Sequence, residues 1–84
     1  QSTYQKADII SISGDTNSHS KSVELSIENT SGVKIWSENI TPKNNGVFST
    51  LIIAGGGGWE NGGDYLLKAV QGDLKNEAKF KFVA

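Results

Sequence analysis

The sequence predicts an all-β fold, an antiparallel β-sandwich of six to seven strands with no disulfide. Three observations carry this. Apolar residues recur at every second position along most of the chain, short clusters of Gly, Asn, Asp, Ser and Pro separate these runs, and there is no cysteine. Alternation is the mark of a half-buried strand, and without cysteine, core packing and backbone hydrogen bonding must hold the fold unaided.

Each element follows from this pattern. Ile10 and Ile12 alternate with Ser11 and Ser13 in the first segment. In the second, Val23, Leu25 and Ile27 alternate with Ser22, Glu24, Ser26 and Glu28, giving one dry face. Val33 with Ile35 to Ile40 forms a third and Val47 to Ile53 a fourth. Tyr65, Leu67 and Ala69 mark a fifth, and Ala78, Phe80 and Phe82, with outward Lys79 and Lys81, a sixth. Thr3 to Lys6 makes a seventh if it joins a sheet edge. Strict alternation turns either Ile35 or Trp36 inward but not both, so a bulge or an exposed Trp36 is expected there. Turn signals sit between the segments: Gly14 to Ser18, Asn29 to Gly32, Pro42 to Gly46, the glycine run after Ala54, and Gly72-Asp73. Asn, Asp and Gly tolerate the positive φ of tight reversals. No repeat or linker interrupts the pattern, so residues 1–84 are expected to form one domain, with 1–7 a flexible or exchanged amino-terminal strand.

Composition narrows the function classes. A chain of 84 residues buries roughly 60 to 65% of its unfolded surface, which leaves little interior for a deep active site. Its cationic residues are eight lysines with no arginine, and its net charge is −1. No basic run exists to attract nucleic acid, and the residue best suited to bidentate phosphate and base contacts is missing. No apolar stretch approaches the ~20 residues of a membrane-crossing helix, so membrane insertion is not expected. The chain contains no methionine and starts at Gln1, which fits a mature chain freed of its leader or a segment of something longer; both suit export.

Some positions follow a known plan. Immunoglobulin-type domains place a tryptophan on the third strand, a tyrosine near the start of the sixth, and a disulfide between a position two residues after that tyrosine and the second strand. Trp36, Tyr65, Leu67 and Leu25 fill these places in order, with a leucine pair in place of the disulfide. Phe48, Phe80 and Phe82 complete the expected core. Gly62-Gly63-Asp64-Tyr65 supplies a corner where the tyrosine hydroxyl can bond back to the main chain.

From Asp8 to Val83 the chain also resembles a family: immunoglobulin-like modules, related to the second domain of macroglobulins, in secreted and surface-layer proteins of ammonia-oxidising archaea. The resemblance is carried by Ile10-Ser11-Ile12-Ser13-Gly14, Val23-Glu24-Leu25-Ser26-Ile27, Asn45-Gly46-Val47-Phe48-Ser49, Trp59 with Gly63-Asp64-Tyr65-Leu66-Leu67-Lys68-Ala69, and Ala78-Lys79-Phe80-Lys81-Phe82. The chain departs from the family in its four-glycine run and in having Asn29-Thr30-Ser31-Gly32 where a proline-glycine turn is usual. The resemblance implies an immunoglobulin-like fold and an extracellular, cell-surface setting more firmly than a specific task.

The glycine run, Ala54 to Asp64, holds six of the ten glycines within nine positions, with Trp59 among them. A phosphate loop would need Lys-Ser or Lys-Thr after its last glycine, and a dinucleotide fingerprint would need a following helix; neither occurs. Two readings stay open. In one the run is a crossover between sheets with Trp59 folded down as a lid over the sandwich end. In the other Trp59 is an exposed stacking platform for a sugar ring, with Glu60, Asn61 and Asp64 as hydroxyl partners.

Catalytic and cofactor signals are missing. Asp15-Thr16-Asn17-Ser18-His19 lacks the glycine and distant glutamate of a calcium loop, and His19 has no partner histidine or nucleophile, so no metal or cofactor is expected. The carboxylates are dispersed, without a pair at glycosidase spacing. Lys68, Lys79 and Lys81 alternate outward, which argues against a buried isopeptide crosslink. Two sequons, Asn29-Thr30-Ser31 and Asn39-Ile40-Thr41, make Asn29 and Asn39 candidate glycan acceptors in an exported chain. These signs together lead to the expectation of a non-enzymatic structural module of a surface layer or filament. It would assemble with copies of itself or sister domains as a homo-oligomer or tandem array, with the amino-terminal strand and its anchor Tyr4 as the joint. A glycan-binding module built on Trp59 is the alternative.

Overall fold

The computed structural model describes residues 3–17 and 21–84. Seven strands and no helix are found among them: β1 (Thr3–Gln5), β2 (Ile9–Asp15), β3 (Val23–Glu28), β4 (Lys34–Ile40), β5 (Val47–Ile53), β6 (Gly63–Gln71) and β7 (Leu74–Val83). They form a five-stranded sheet ordered β1-β7-β6-β3-β4 and a two-stranded sheet β2-β5. All pairs are antiparallel except β1, which runs parallel to β7 with Tyr4 opposite Phe82. The extra strand at Thr3 does join an edge.

Alternation explains which side chains meet. Ile10, Ile12, Phe48 and Ile52 from the small sheet share one buried cluster with Val23, Leu25, Ile27, Tyr65, Phe80 and Phe82 from the large one. The outward positions of β3 and β6 carry charge instead, and Lys68 meets Glu28 at 2.9 Å across that face. Gly14 lies opposite Phe48. A Cβ there would stand 2.7 Å from the Phe48 ring, so the glycine makes room for the aromatic.

The expected immunoglobulin-type assignment needs two corrections. Leu25 and Leu67 do not face each other across the sandwich. β3 and β6 are neighbours in one sheet, where Leu25 opposes Ala69 and Ile27 opposes Leu67. β3 pairs with both β6 and β4, whereas β4 pairs with β3 alone, so the leucine strand β3 occupies the sheet interior and the tryptophan strand β4 its edge. Trp36 and Leu67 are consequently half-buried and pack against the core from its margin, whereas Leu25, Phe48, Tyr65, Phe80 and Phe82 lie within it. The Ile35/Trp36 conflict is resolved by a register shift at Ile27/Glu28, where Ile27 opposes Trp36 but Glu28 opposes Lys34. The added residue lets Ile35 and Trp36 both lean on the core.

Ile27 is 0% exposed and sits where both sheets and the Trp36 margin meet. Truncation there leaves a hole that rigid strands cannot close. Ile27→Ala is expected to cost about 2–5 kcal/mol, a large share of the roughly 5 kcal/mol available to a domain of this size, measured as the shift in urea midpoint.

Candidate functional site

The strands bring the glycine run and Trp59 to one end of the sandwich, against a cluster of four other aromatic rings. Trp59 stacks on Tyr65 with centroids 4.9 Å apart and planes 17° from parallel, and meets Phe82 edge-on at 5.0 Å. Tyr65 contacts Phe80 and Phe82 at 5.8 and 5.5 Å, and Tyr4 approaches Phe80 edge-on at 5.7 Å. Alternation puts Phe80 and Phe82 on one face of β7, and the register sets Tyr65 beside Phe80 and Tyr4 beside Phe82. The cluster is thus a product of strand pairing, into which the loop delivers Trp59.

That delivery depends on Gly58. Its φ is +91°, and a Cβ would come within 2.8 Å of Ile35 Cβ, so both conformation and space require glycine. Each main-chain polar group of Gly58 is held: its N–H donates to Glu60 Oε2 at 3.0 Å, and its carbonyl accepts from Asn29 Nδ2 at 3.1 Å. Trp59 N–H donates to Gly56 O, closing the turn. On the far side Tyr65 Oη donates to Asn61 O at 2.6 Å, forming the corner expected at Gly62 to Tyr65.

The sugar-platform reading of Trp59 is overturned by this geometry. The indole is 7% exposed, with Tyr65, Phe80 and Phe82 around it, so no open face awaits a pyranose ring. Glu60, Asn61 and Asp64 are exposed but not convergent: Glu60 is engaged by Gly58, and Asn61 uses its carbonyl for Tyr65. The groove beside the loop, about 590 Å³, which the edge of Trp59 also reaches, is lined mainly by apolar side chains, among them Ile35, Trp36, Leu51 and Ile53. Tyr4, 8% exposed, is buried against its own chain.

The two sequons differ. Asn29 is a structural residue. Its Oδ1 accepts from the N–H groups of Ser31 and Val33 while its Nδ2 reaches Gly58, so glycosylation there would break the tie between the two loops. Asn39 is exposed on the outer strand β4. His19 and Ser18 lie outside the described residues. Among the described residues no three His, Cys, Asp or Glu side chains gather in a metal-binding group.

Other features of this end were not singled out from sequence. Ala7 adopts φ +74°, the one non-glycine residue with positive φ among those described. Ile9, Leu51 and Ile53 are 63 to 67% exposed on the outer face of the small sheet. The run Leu51-Ile52-Ile53 carried that signal, because on a period-two strand two of three consecutive apolar residues share a face, here the wet one.

Trp59→Ala is expected to cost about 3–5 kcal/mol of stability, since it empties the centre of an aromatic cluster. Tyr65→Phe removes one hydrogen bond and is expected to cost about 1 kcal/mol. Burial, and then the Glu60 charge, hold the Tyr65 hydroxyl above its usual 10.0, and the hydrogen bond that the Lys68 ammonium donates to Glu28 raises it above 10.5. In both cases the protonated form is the one the fold favours, so stability is complete below these values and falls as pH rises past 10. Urea titrations across that window should show the decline in the native protein and a shallower one in Tyr65→Phe.

No protein-family model matches the chain, and no curated protein is similar to it in sequence.

Proposed function

We propose that this chain is an extracellular structural module of a surface layer or filament, non-enzymatic, joined to copies of itself or to sister domains by exchange of the amino-terminal strand. The surface setting and the archaeal source rest on the resemblance described above. The observation supporting the joint is the way β1 is held. It pairs with β7 through three residues, Thr3 to Gln5, and inserts one large side chain, Tyr4, against Phe80.

The hinge that follows is a tight turn. Gln5 N–H donates to Asp8 Oδ2 and Asp8 N–H donates to Gln5 O, and closing this turn forces Ala7 into the left-handed region. A non-glycine residue there is strained by about 1–2 kcal/mol. If β1 leaves its own β7 and pairs identically with that of a neighbour, every strand contact is regained and the Ala7 strain is released. A short hinge under strain is a recognised route to exchange. Reciprocal exchange closes a dimer, whereas head-to-tail exchange continues into a filament.

Two variants test the joint. Ala7→Gly relaxes the hinge and is expected to shift sedimentation toward monomer, by up to about tenfold in association constant for ~1.4 kcal/mol of strain. Removal of residues 1–7 is expected to abolish assembly and leave a folded, less stable monomer. If neither change alters the assembly state, strand exchange is refuted. Filaments or lattices in electron micrographs of native material would address the surface role.

A further inference from the structure

We propose that Asn61 is a site of spontaneous deamidation and isoaspartate formation, and that this modification undoes the corner that closes the aromatic end. The inference is independent of how the module assembles. Two Asn-Gly pairs occur, Asn45-Gly46 and Asn61-Gly62. This dipeptide is the reactive one because a glycine nitrogen, with no side chain beside it, can reach the asparagine Cγ and close a five-membered ring.

The fold treats the two pairs in opposite ways. At the first, Gly46 is buried, its N–H donates to Lys43 O at 2.8 Å, and its carbonyl accepts from Thr16 N at 2.9 Å. Asn45 Oδ1 also accepts from Val47 N–H at 3.1 Å, which ties the side chain to the turn. Attack there requires the turn to open. At the second, Asn61 and Gly62 are both exposed, and neither the Asn61 amide nor the Gly62 N–H is held by a hydrogen bond among the described residues. Only the main-chain carbonyl of Asn61 is engaged, and that atom takes no part in ring closure.

The chemistry needs water and no other reactant. The Gly62 nitrogen bonds to Asn61 Cγ and gives its proton to solvent, the bond from Cγ to the side-chain nitrogen breaks, and ammonia leaves. Water then opens the resulting succinimide at either carbonyl, yielding aspartate or isoaspartate at 61. Either product adds a negative charge between Glu60 and Asp64. Isoaspartate further inserts a methylene into the main chain at the residue whose carbonyl accepts the Tyr65 hydroxyl at 2.6 Å. The acceptor is displaced and the hydroxyl loses its partner beneath Trp59.

The test is peptide mapping by mass spectrometry of the full chain aged in mildly alkaline buffer, folded and in urea, with Asn61→Gln as the control that removes the signal. Asn61 is expected to convert at least about tenfold faster than Asn45 when folded, the rate ratio that opening one or two turn hydrogen bonds imposes. Urea should bring the two rates together. Conversion of Asn45 at an equal or greater rate in the folded chain, or an unchanged ratio in urea, overturns the proposal. So does an Asn61 that stays intact while the unfolded chain reacts. The aged fraction should also unfold at lower urea in the native sequence, and a Tyr65→Phe chain should show little further loss; equal losses in both would remove the link to the corner.

Discussion

The stacking of Trp59 on Tyr65 is the contact on which the rest of this domain depends. A chain of this length without disulfides has few ways to close the open end of a two-layer β structure, and here a loop side chain does it. The stack forms because Gly58 permits a turn that no other residue would accept, and because the Tyr65 hydroxyl is anchored to Asn61. Asn29 then joins the β3–β4 turn to the same loop through Gly58. Two loops and two strands therefore share one cluster, and a change in any of them is felt as a change in the packing of two rings.

The two sheets divide their work unevenly. The large sheet has an outer face with charged residues, including the Lys68–Glu28 and Lys34–Glu24 pairs. At partial or full exposure such pairs contribute little stability, and their effect is to keep that face soluble and unattractive to other sheets. The small sheet shows the opposite character: Ile9, Leu51 and Ile53 project outward among serines. Contacts with other molecules are favoured on that side by desolvation of apolar surface and disfavoured on the other by desolvation of charge.

Much of this was legible in the sequence, and the limits have physical causes. Every strand from β2 to β7 was visible as alternation, and the Tyr65 corner as glycines preceding an inward tyrosine, because both are local patterns. The partners of Leu25 and Trp36 were not, since strand order is decided by the whole chain and a three-residue β1 is too short to carry its own period. Alternation did identify the conflict at Ile35 and Trp36, and the bulge is its solution. Asn29 looked like a sequon because the code for a glycan acceptor and the chemistry of an Asx turn use the same side chain. The positive φ of Ala7 had no signal, since alanine there is what a turn predictor would least expect.

The open edge of β5 is guarded by its surroundings rather than by charge. On β5, Ser49, Leu51 and Ile53 stand opposite Ser13, Ser11 and Ile9 in the alternate pairs whose main-chain groups point away from β2. No charged side chain guards that edge, unlike β4 with Lys34 and Glu38 or β2 with Asp15. Protection comes from position instead. β4 flanks the edge, with Thr50 Oγ1 donating to Glu38 Oε1 at 3.0 Å, and Ile35 and Trp36 line the groove alongside. A single extended segment laid along this edge would gain main-chain hydrogen bonds from β5 and apolar contact from the groove.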